Sequence, residues 1–483
     1  MIVHKFGGTS VGSATQISSV VDIIIRQFDG HQDSNSGIVL VVSAMNGITD
    51  QLVRSARAAA RGDETLYQEI KQQMLRRHLE TAEELLSPGT DRSAVCEGIV
   101  EKFNELERFL NSIAMLGELT PRGMDAVVSF GEILSSNIVS AVIRQRGLAS
   151  EAISATQLIV TDDRFGEAGL IYPLTQQNLQ LKIVPLVTRG VIPVVTGYIG
   201  ATKEGVTTTI GRGGSDLSAA ILGAGLEADE VWIWSDVNGI LTADPFIVPG
   251  ARTLRELSYQ EAAELAYYGA DVLHPKTIQP VIENNIPLRI LNSFNPDDPG
   301  TLIVDKPGSH RKMSPAIIST TGLSMIAVSS EGERWNLGLA ARVLQSLSGE
   351  GTQVLMFSQS FSEQSLNLIV RSQDLAHCLR VLTGVQGFYT GVESLRVDVR
   401  ERIGTVSVVG FSDGKSNGVV SHAYAALGKG RTQVIAVAQP ATERSVSFCI
   451  PEEQVAETVR LLHSELGLDD HDSSNLGFAS NFP

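Results

Sequence analysis

The stretch VHKFGGTSVGSA (residues 3–14) sets the reading of the whole chain. A short apolar strand pattern runs into a lysine, two adjacent glycines and two hydroxyl residues. A helical pattern follows, with Ile17, Val20, Val21, Ile24, Ile25 and Phe28 at helical spacing. Glycines let backbone amides approach an anion, and a helix beginning near Gly12 aims its positive end at it. Lys5, Gly7 and Gly8 therefore read as a phosphate cradle, although a tight turn with a solvated lysine would have the same composition. The lysine precedes the glycines and no G-x-x-x-x-G-K-[ST] occurs, so this is not a P-loop.

Outward from that turn, GIVLVVSAM (residues 37–45) is a near-continuous apolar run, as expected of a parallel strand buried on both faces. Strand, turn, helix, strand makes a βαβ unit. Strand patterns recur at 151–156, 191–200, 230–234 and 286–292, with a helix from about Asp216 among them. Residues 49–119 are charged and helical. There Ile99, Phe103, Leu106, Leu110 and Ile113 step by four, three, four and three along one face, which predicts a helical lobe packed on the sheet. Residues 1–295 thus read as one large α/β domain.

NPDDPGT (residues 295–301) marks a boundary, and an internal repeat follows it. TQVLMFSQSFSEQSLNLIV (352–370) aligns with TQVIAVAQPATERSVSFCI (432–450), an offset of 80 residues. Each copy reads as a ferredoxin-like α+β unit, one over 300–400 with its linker and one over 401–470, and a strand near 315–320 is free to join the second. Residues 471–483 are a polar tail.

The totals restrict function. Among 483 residues, 43% are hydrophobic and 19% charged, and the net charge of -16 argues against a nucleic-acid or anionic-membrane surface. Cys96, Cys378 and Cys449 lie far apart without metal-ligand spacing, which predicts three buried thiols in a reducing, cytoplasmic setting and no protein-bound metal. Apolar runs look too short to span a bilayer, and no leader is expected before the first strand.

Three further stretches could carry chemistry. In TTTIGRGGSD (207–216), Ser215 and Asp216 suit a helix N-cap. A cap has no need of Arg212 between glycines, whereas a guanidinium there can grip a carboxylate bidentately. SFGE (129–132) fits a capping box with Ser129 as N-cap, against Glu132 as a ligand for an ammonium group. SDVNGI (235–240) follows a strand, where α/β sheets place ligands, though an ordinary loop has the same residues.

In order along the chain, KFGGTSV, VSAMNGIT, SFGE, DDRFG, TTTIGRGGSD, SDVNGI and LHPKT resemble the aspartate kinases of the amino acid kinase family. The resemblance implies an amino acid kinase-type sheet flanked by helices, followed by two ACT units. It implies transfer of the γ-phosphate of ATP, with Mg2+, to the β-carboxylate of L-aspartate, the first step toward lysine, threonine, methionine and isoleucine. Lys5 with Gly7 and Gly8 would meet the phosphoryl group and Asp216 would orient the lysine. Ser43, Thr49, Glu132, Arg212 and Ser215 would hold aspartate. Ser235, Asp236 and Lys276 would meet the nucleotide. Gln359 and Gln439 fall at effector positions, pointing to threonine or lysine, and a homodimer or higher homo-oligomer is implied. An ACT unit that only holds a dimer together is the competing reading of the repeat. The sequence departs from the family pattern at Leu241, Phe246 and Asp271. A kinase for another small carboxylate or phosphate, and an inert amino-acid sensor, are the competing readings of function.

Overall fold

The computed structural model describes residues 1–30, 37–268, 275–308, 315–330, 337–349, 352–360, 365–387, 395–410, 416–440 and 444–468. They form two compact units. One comprises Met1–Ile240, Thr253–Ala266 and the described part of 271–309; the other comprises Leu241–Arg252, Tyr267 and Tyr268, and the described residues beyond 310.

The first unit is built on β1 (Ile2–Phe6), β2 (Ile38–Val42), β3 (Ser150–Ile153), β4 (Ile192–Thr196), β5 (Ile199–Ala201), β6 (Thr207–Thr209), β7 (Glu230–Ser235), β8 (Glu256–Ser258), β9 (Leu288–Asn292) and β10 (Thr301–Val304). Eight of these make one sheet in the order β3-β4-β2-β1-β7-β9-β10-β8, while β5 and β6 pair separately. Neighbours from β3 to β9 are parallel, with Lys5 in register with Val41 on one side and Ile233 on the other. Every residue of β1, β2 and β4 is buried, which explains their unbroken apolar runs. Each fully buried Val or Ile there contributes roughly 1.5–3 kcal/mol over an exposed one. The run 191–200, read as one strand, is in fact β4 and β5 in different sheets, broken at Gly197 and Tyr198.

Helix α1 (Ala14–Gly30) follows the glycine turn. The lobe is α2 (Ile48–Ala60), α3 (Glu64–Leu85), α4 (Thr90–Leu116) and α5 (Pro121–Val128), with α6 (Phe130–Gln145) leading back to the sheet. All five residues of the predicted α4 stripe are buried in the main core with β2 and α6 residues. The stretch Pro121–Gln145 corrects one expectation: end to end, α5 and α6 are long and apolar enough to cross a bilayer, but 83% of the most apolar window is buried in the protein. Beyond them come α7 (Tyr172–Lys182), α8 (Val184–Thr188), α9 (Gly214–Gly225), α10 (Tyr259–Tyr268) and α11 (Pro275–Glu283).

The second unit is a six-stranded sheet, β12-β13-β11-β14-β16-β15. Its strands are β11 (Ala316–Ser330), β12 (Met356–Ser360), β13 (Ser365–Arg371), β14 (Leu395–Val409), β15 (Ala436–Ala438) and β16 (Ser445–Pro451). Strands β11 and β14 serve both repeats. Residues 316–320 pair with 405–409 beside β16, and 325–330 pair with 395–400 beside β13, with a register shift between the halves. Helices α12 (Leu337–Gly349) and α13 (Leu375–Gly387) contribute to one core, α14 (Ser416–Lys429) and α15 (Val455–Glu465) to another. Ala243 and Val248 are buried in that second core, the Thr242 hydroxyl meets His463 Nε2 at 3.0 Å, and Ile317 N–H donates to the Thr242 carbonyl at 2.7 Å. The segment 241–252, counted with residues 1–295 from sequence, therefore packs as part of the second unit. Of the thiols, Cys378 and Cys449 are buried; Cys96, expected to be, is only half-buried.

Candidate functional site

Adjacent parallel strands end at one edge of the main sheet, and the motif turns follow from those ends. Lys5 is the penultimate residue of β1, 9% exposed, and its ammonium is ion-paired with Asp216 in the first turn of α9. Gly7 N–H leans on the Trp234 carbonyl at 3.4 Å, so the amides left open toward an anion are those of Gly8 and Thr9, which have no partner among the described residues. Gly8 lets the two turns approach closely: a Cβ there would lie 3.1 Å from the Ala44 carbonyl oxygen, a contact that the turns would have to open by a few tenths of an ångström to admit.

The turn after β2, residues 43–47, is fixed from several sides. Ser43 N–H donates to the Phe6 carbonyl at 3.2 Å, and Ser135 Oγ donates to the Ser43 carbonyl at 2.6 Å. Gly47, with φ of 78°, starts α2 and puts half-buried Thr49 in its first turn. Ala44 N–H donates to Glu132 Oε1 at 3.2 Å. Glu132 is 3% exposed, and its Oε2 has no hydrogen-bond partner among the described residues. Burial without a cation pushes its carboxyl up to about 8, against the weaker opposing pull of the Ala44 amide.

The capping box at SFGE is not formed. Ser129 is helical, with φ of −61°, because α5 abuts α6; its hydroxyl donates to the Ala126 carbonyl instead. Nor do Ser215 and Asp216 cap α9, whose N-cap is Gly213. With φ of 84° and 71°, Gly211 and Gly213 flank Arg212 in left-handed conformations that a side chain would resist. The exposed Arg212 guanidinium makes no ion pair or hydrogen bond among the described residues, and half-buried Ser215 lies against Gly197.

Ser235 ends β7, and its hydroxyl donates to exposed Asp236 at 3.2 Å. Ser293, after β9, donates its amide and hydroxyl to the Ser235 carbonyl, at 2.9 and 3.1 Å, and its hydroxyl meets Ser10 Oγ at 2.8 Å. The loop beyond Ser235 is thereby tied to the glycine turn. Phe246 is 96% exposed. Asp271 lies outside the described residues; Lys276 sits at the start of α11, and its side chain is outside them too. In the second unit Gln359 is half-buried on β12 and Gln439 is exposed just after β15. These are the two edge strands of the sheet, and it curls so that they approach one another around an inner apolar cluster.

Sequence reasoning missed three residues. Asp125, buried in α5, accepts from the amides of Gly166 and Thr209 at 2.9 Å and from the Thr209 hydroxyl at 2.8 Å, which fixes DDRFG beside the strand leading to Arg212. Its signal was a lone acid on an apolar helix. Tyr198 has a positive φ of 67°, strain that a surrounding site has to sustain, and its phenol is raised by burial with Glu132 and Asp125 among the charges acting on it. Ser293 carried no signal. Among the described residues no group of three or more metal-ligating side chains occurs.

Residues 1–292 match the family model described as the amino acid kinase family, and residues 326–385 and 406–466 match one described as an ACT domain. The chain is similar to Aspartokinase 2, chloroplastic, of Arabidopsis thaliana, at 31% identity over 471 residues, 96% of this chain and 83% of that protein. It is similar to Bifunctional aspartokinase/homoserine dehydrogenase 1, chloroplastic, of Zea mays, at 31% over 473 residues, 96% of this chain and 50% of that protein. It thus spans about half the length of the bifunctional relatives it matches. The structure of E. coli aspartokinase III in complex with aspartate and ADP (R-state) superposes with a TM-score of 0.80 at 28% identity, covering 97% of this chain and 100% of that one. Its complex with lysine and aspartate (T-state) gives 0.78 at 27% identity, covering 96% and 99%.

Proposed function

Because the chain belongs to the amino acid kinase family, among the aspartokinases that carry ACT domains, we propose that it phosphorylates L-aspartate on its β-carboxylate at the expense of ATP. The observation that carries this is a pair of unsatisfied groups: a buried carboxyl oxygen on Glu132 with no partner among the described residues, and the unpartnered guanidinium of Arg212. Together they suit the two charged ends of an amino acid. Ser43, Thr49 and Ser215 complete the acceptor pocket.

The acceptor carboxylate is already ionised at neutral pH, so transfer needs no strong base. An oxygen of that carboxylate forms the new bond to the γ-phosphorus as the bond to the β,γ-bridging oxygen breaks, and ADP leaves. The barrier is largely repulsion between anions. Lys5, held by Asp216, and the amides of Gly8 and Thr9 oppose it. Magnesium would arrive on the nucleotide, since hard phosphate oxygens and water suffice to hold it and add positive charge there. Ser235 and Asp236 are proposed to meet the nucleotide, and Lys276 with them. We propose further that an amino acid, threonine or lysine, acts through the second unit near Gln359 and Gln439, and that the chain is a homo-oligomer. The lysine complex of the E. coli relative supports the first of these.

The test is hydroxylamine trapping of the acyl phosphate with Mg2+ and ATP, repeated with threonine or lysine. Hydroxamate that forms only with aspartate supports the reading. None with ATP or GTP would replace it with the sensor.

Glu132 supplies a second check. Its folded value of about 8 lies above the unfolded 4.5, so the empty protein retains a proton that the unfolded chain releases. Stability from this group is full below pH 4.5 and is lost as pH rises through 8. A substrate ammonium beside Glu132 favours the carboxylate and expels that proton. Calorimetry at pH 7 in buffers of different ionisation heat is expected to find about one proton released per aspartate bound. Glu132→Gln is expected to abolish the release and weaken aspartate binding; release unchanged in that variant would remove Glu132 from the pocket.

A further inference from the structure

Arg77 lies on α3 in the helical lobe, outside every sequence motif that suggested chemistry. Its Nη1 donates to the Asn46 carbonyl and its Nη2 to the Gly12 carbonyl, both at 2.8 Å. Asn46 belongs to the turn after β2 that holds Ser43 and Thr49; Gly12 closes the turn after β1 that follows Lys5. One planar, pre-organised fork therefore spans the two turns. Those turns also press together, since a Cβ on Gly12 would fall 3.1 Å from Asn46 Cβ. Among the described residues, the other hydrogen bond between these neighbouring segments is that of Ser43 N–H to the Phe6 carbonyl, at the strand ends. At the far ends of the turns, Arg77 supplies the polar link.

We propose that Arg77 is a positioning residue that locks the phosphate turn to the acceptor turn and so sets the gap across which the phosphoryl group moves. The proposal rests on the aspartate kinase reading. Transfer demands reacting atoms roughly 3–3.5 Å apart, and a displacement of about 1 Å can cost about 100-fold in rate. Each turn still carries its own binding groups without Arg77. Its loss should therefore slow transfer far more than it weakens either ligand. A lysine keeps the charge but is a compact ammonium on a flexible stem, and it cannot reproduce the fork to both carbonyls.

The experiment compares the full-length chain with Arg77→Lys and Arg77→Ala. The readouts are kcat by hydroxamate trapping, separate Kd values for ADP and aspartate by calorimetry, and hydrogen exchange across residues 7–13 and 43–49. In both variants kcat is expected to fall about 10–100-fold while each Kd changes less than about threefold. Amides of both turns are expected to exchange faster together. If Arg77→Ala fails to fold, Arg77→Lys carries the test alone. Full recovery of kcat in Arg77→Lys would reduce the role to charge, and weakened binding with unchanged kcat would overturn positioning. Unaltered exchange in both turns would overturn it whatever the activity. Wild-type protein unable to phosphorylate aspartate would instead defeat the functional reading, a result distinct from an active wild type matched by its Arg77 variants.

Discussion

Replacing Lys5 with Ala is expected to lower turnover by about 10²–10³, the scale for removing one charge partner from a developing transition state. The reason lies in where the ammonium sits. It is almost wholly buried at the end of a central strand, its position set by Asp216 and by pairing to β2 and β7. A cation held this way needs no reorganisation when charge moves onto the transferring oxygens. The aspartate requirement should change little, because the proposed contact of Lys5 is with the transferring phosphoryl group and not with the acceptor. Since Asp216 would lose its partner, the melting temperature of Lys5→Ala has to be measured beside its rate. A folded variant with near-normal turnover would remove Lys5 from the chemistry.

Replacing Arg212 with Ala is expected to act on the other reactant, raising KM for aspartate about 10–100-fold with a much smaller change in kcat. Charge-assisted hydrogen bonds contribute about 1.5–3 kcal/mol, and each 1.4 kcal/mol is about tenfold in affinity. The guanidinium is exposed and unpartnered, so its removal should leave stability nearly untouched. Arg212→Lys should recover little, because a single ammonium cannot grip a carboxylate bidentately. Initial-rate kinetics at varied aspartate decide this, and unchanged aspartate dependence would make Arg212 structural.

Much of this was legible in the sequence because the governing physics is local. The glycines at 7 and 8, the buried strands around them and the α4 stripe each announce themselves within a few residues. The 80-residue repeat is visible because two copies of one supersecondary unit need the same apolar pattern. What was not legible depends on distant chain. Ser129 and Glu132 have the spacing of a capping box, but packing of α5 end to end on α6 turns Ser129 helical and leaves the carboxylate in the core. The φ of Tyr198 and the reach of Ser293 and Arg77 follow from neighbours far away in sequence. Half of the residues in 241–252 are apolar, but Pro245, Pro249 and Gly250 break any strand or helix periodicity, so nothing local reveals which core they join.

That last segment bears on how such proteins can be taken apart. The chain leaves the first unit after Ile240, gives Ala243 and Val248 to the core of the second, and returns at Thr253. A boundary drawn near residue 300 therefore cuts no clean seam. Genetic truncation there would strand an apolar loop, and exchange of regulatory halves between homologues would mismatch it. Any successful chimera has to carry residues 241–252 along with the half they serve.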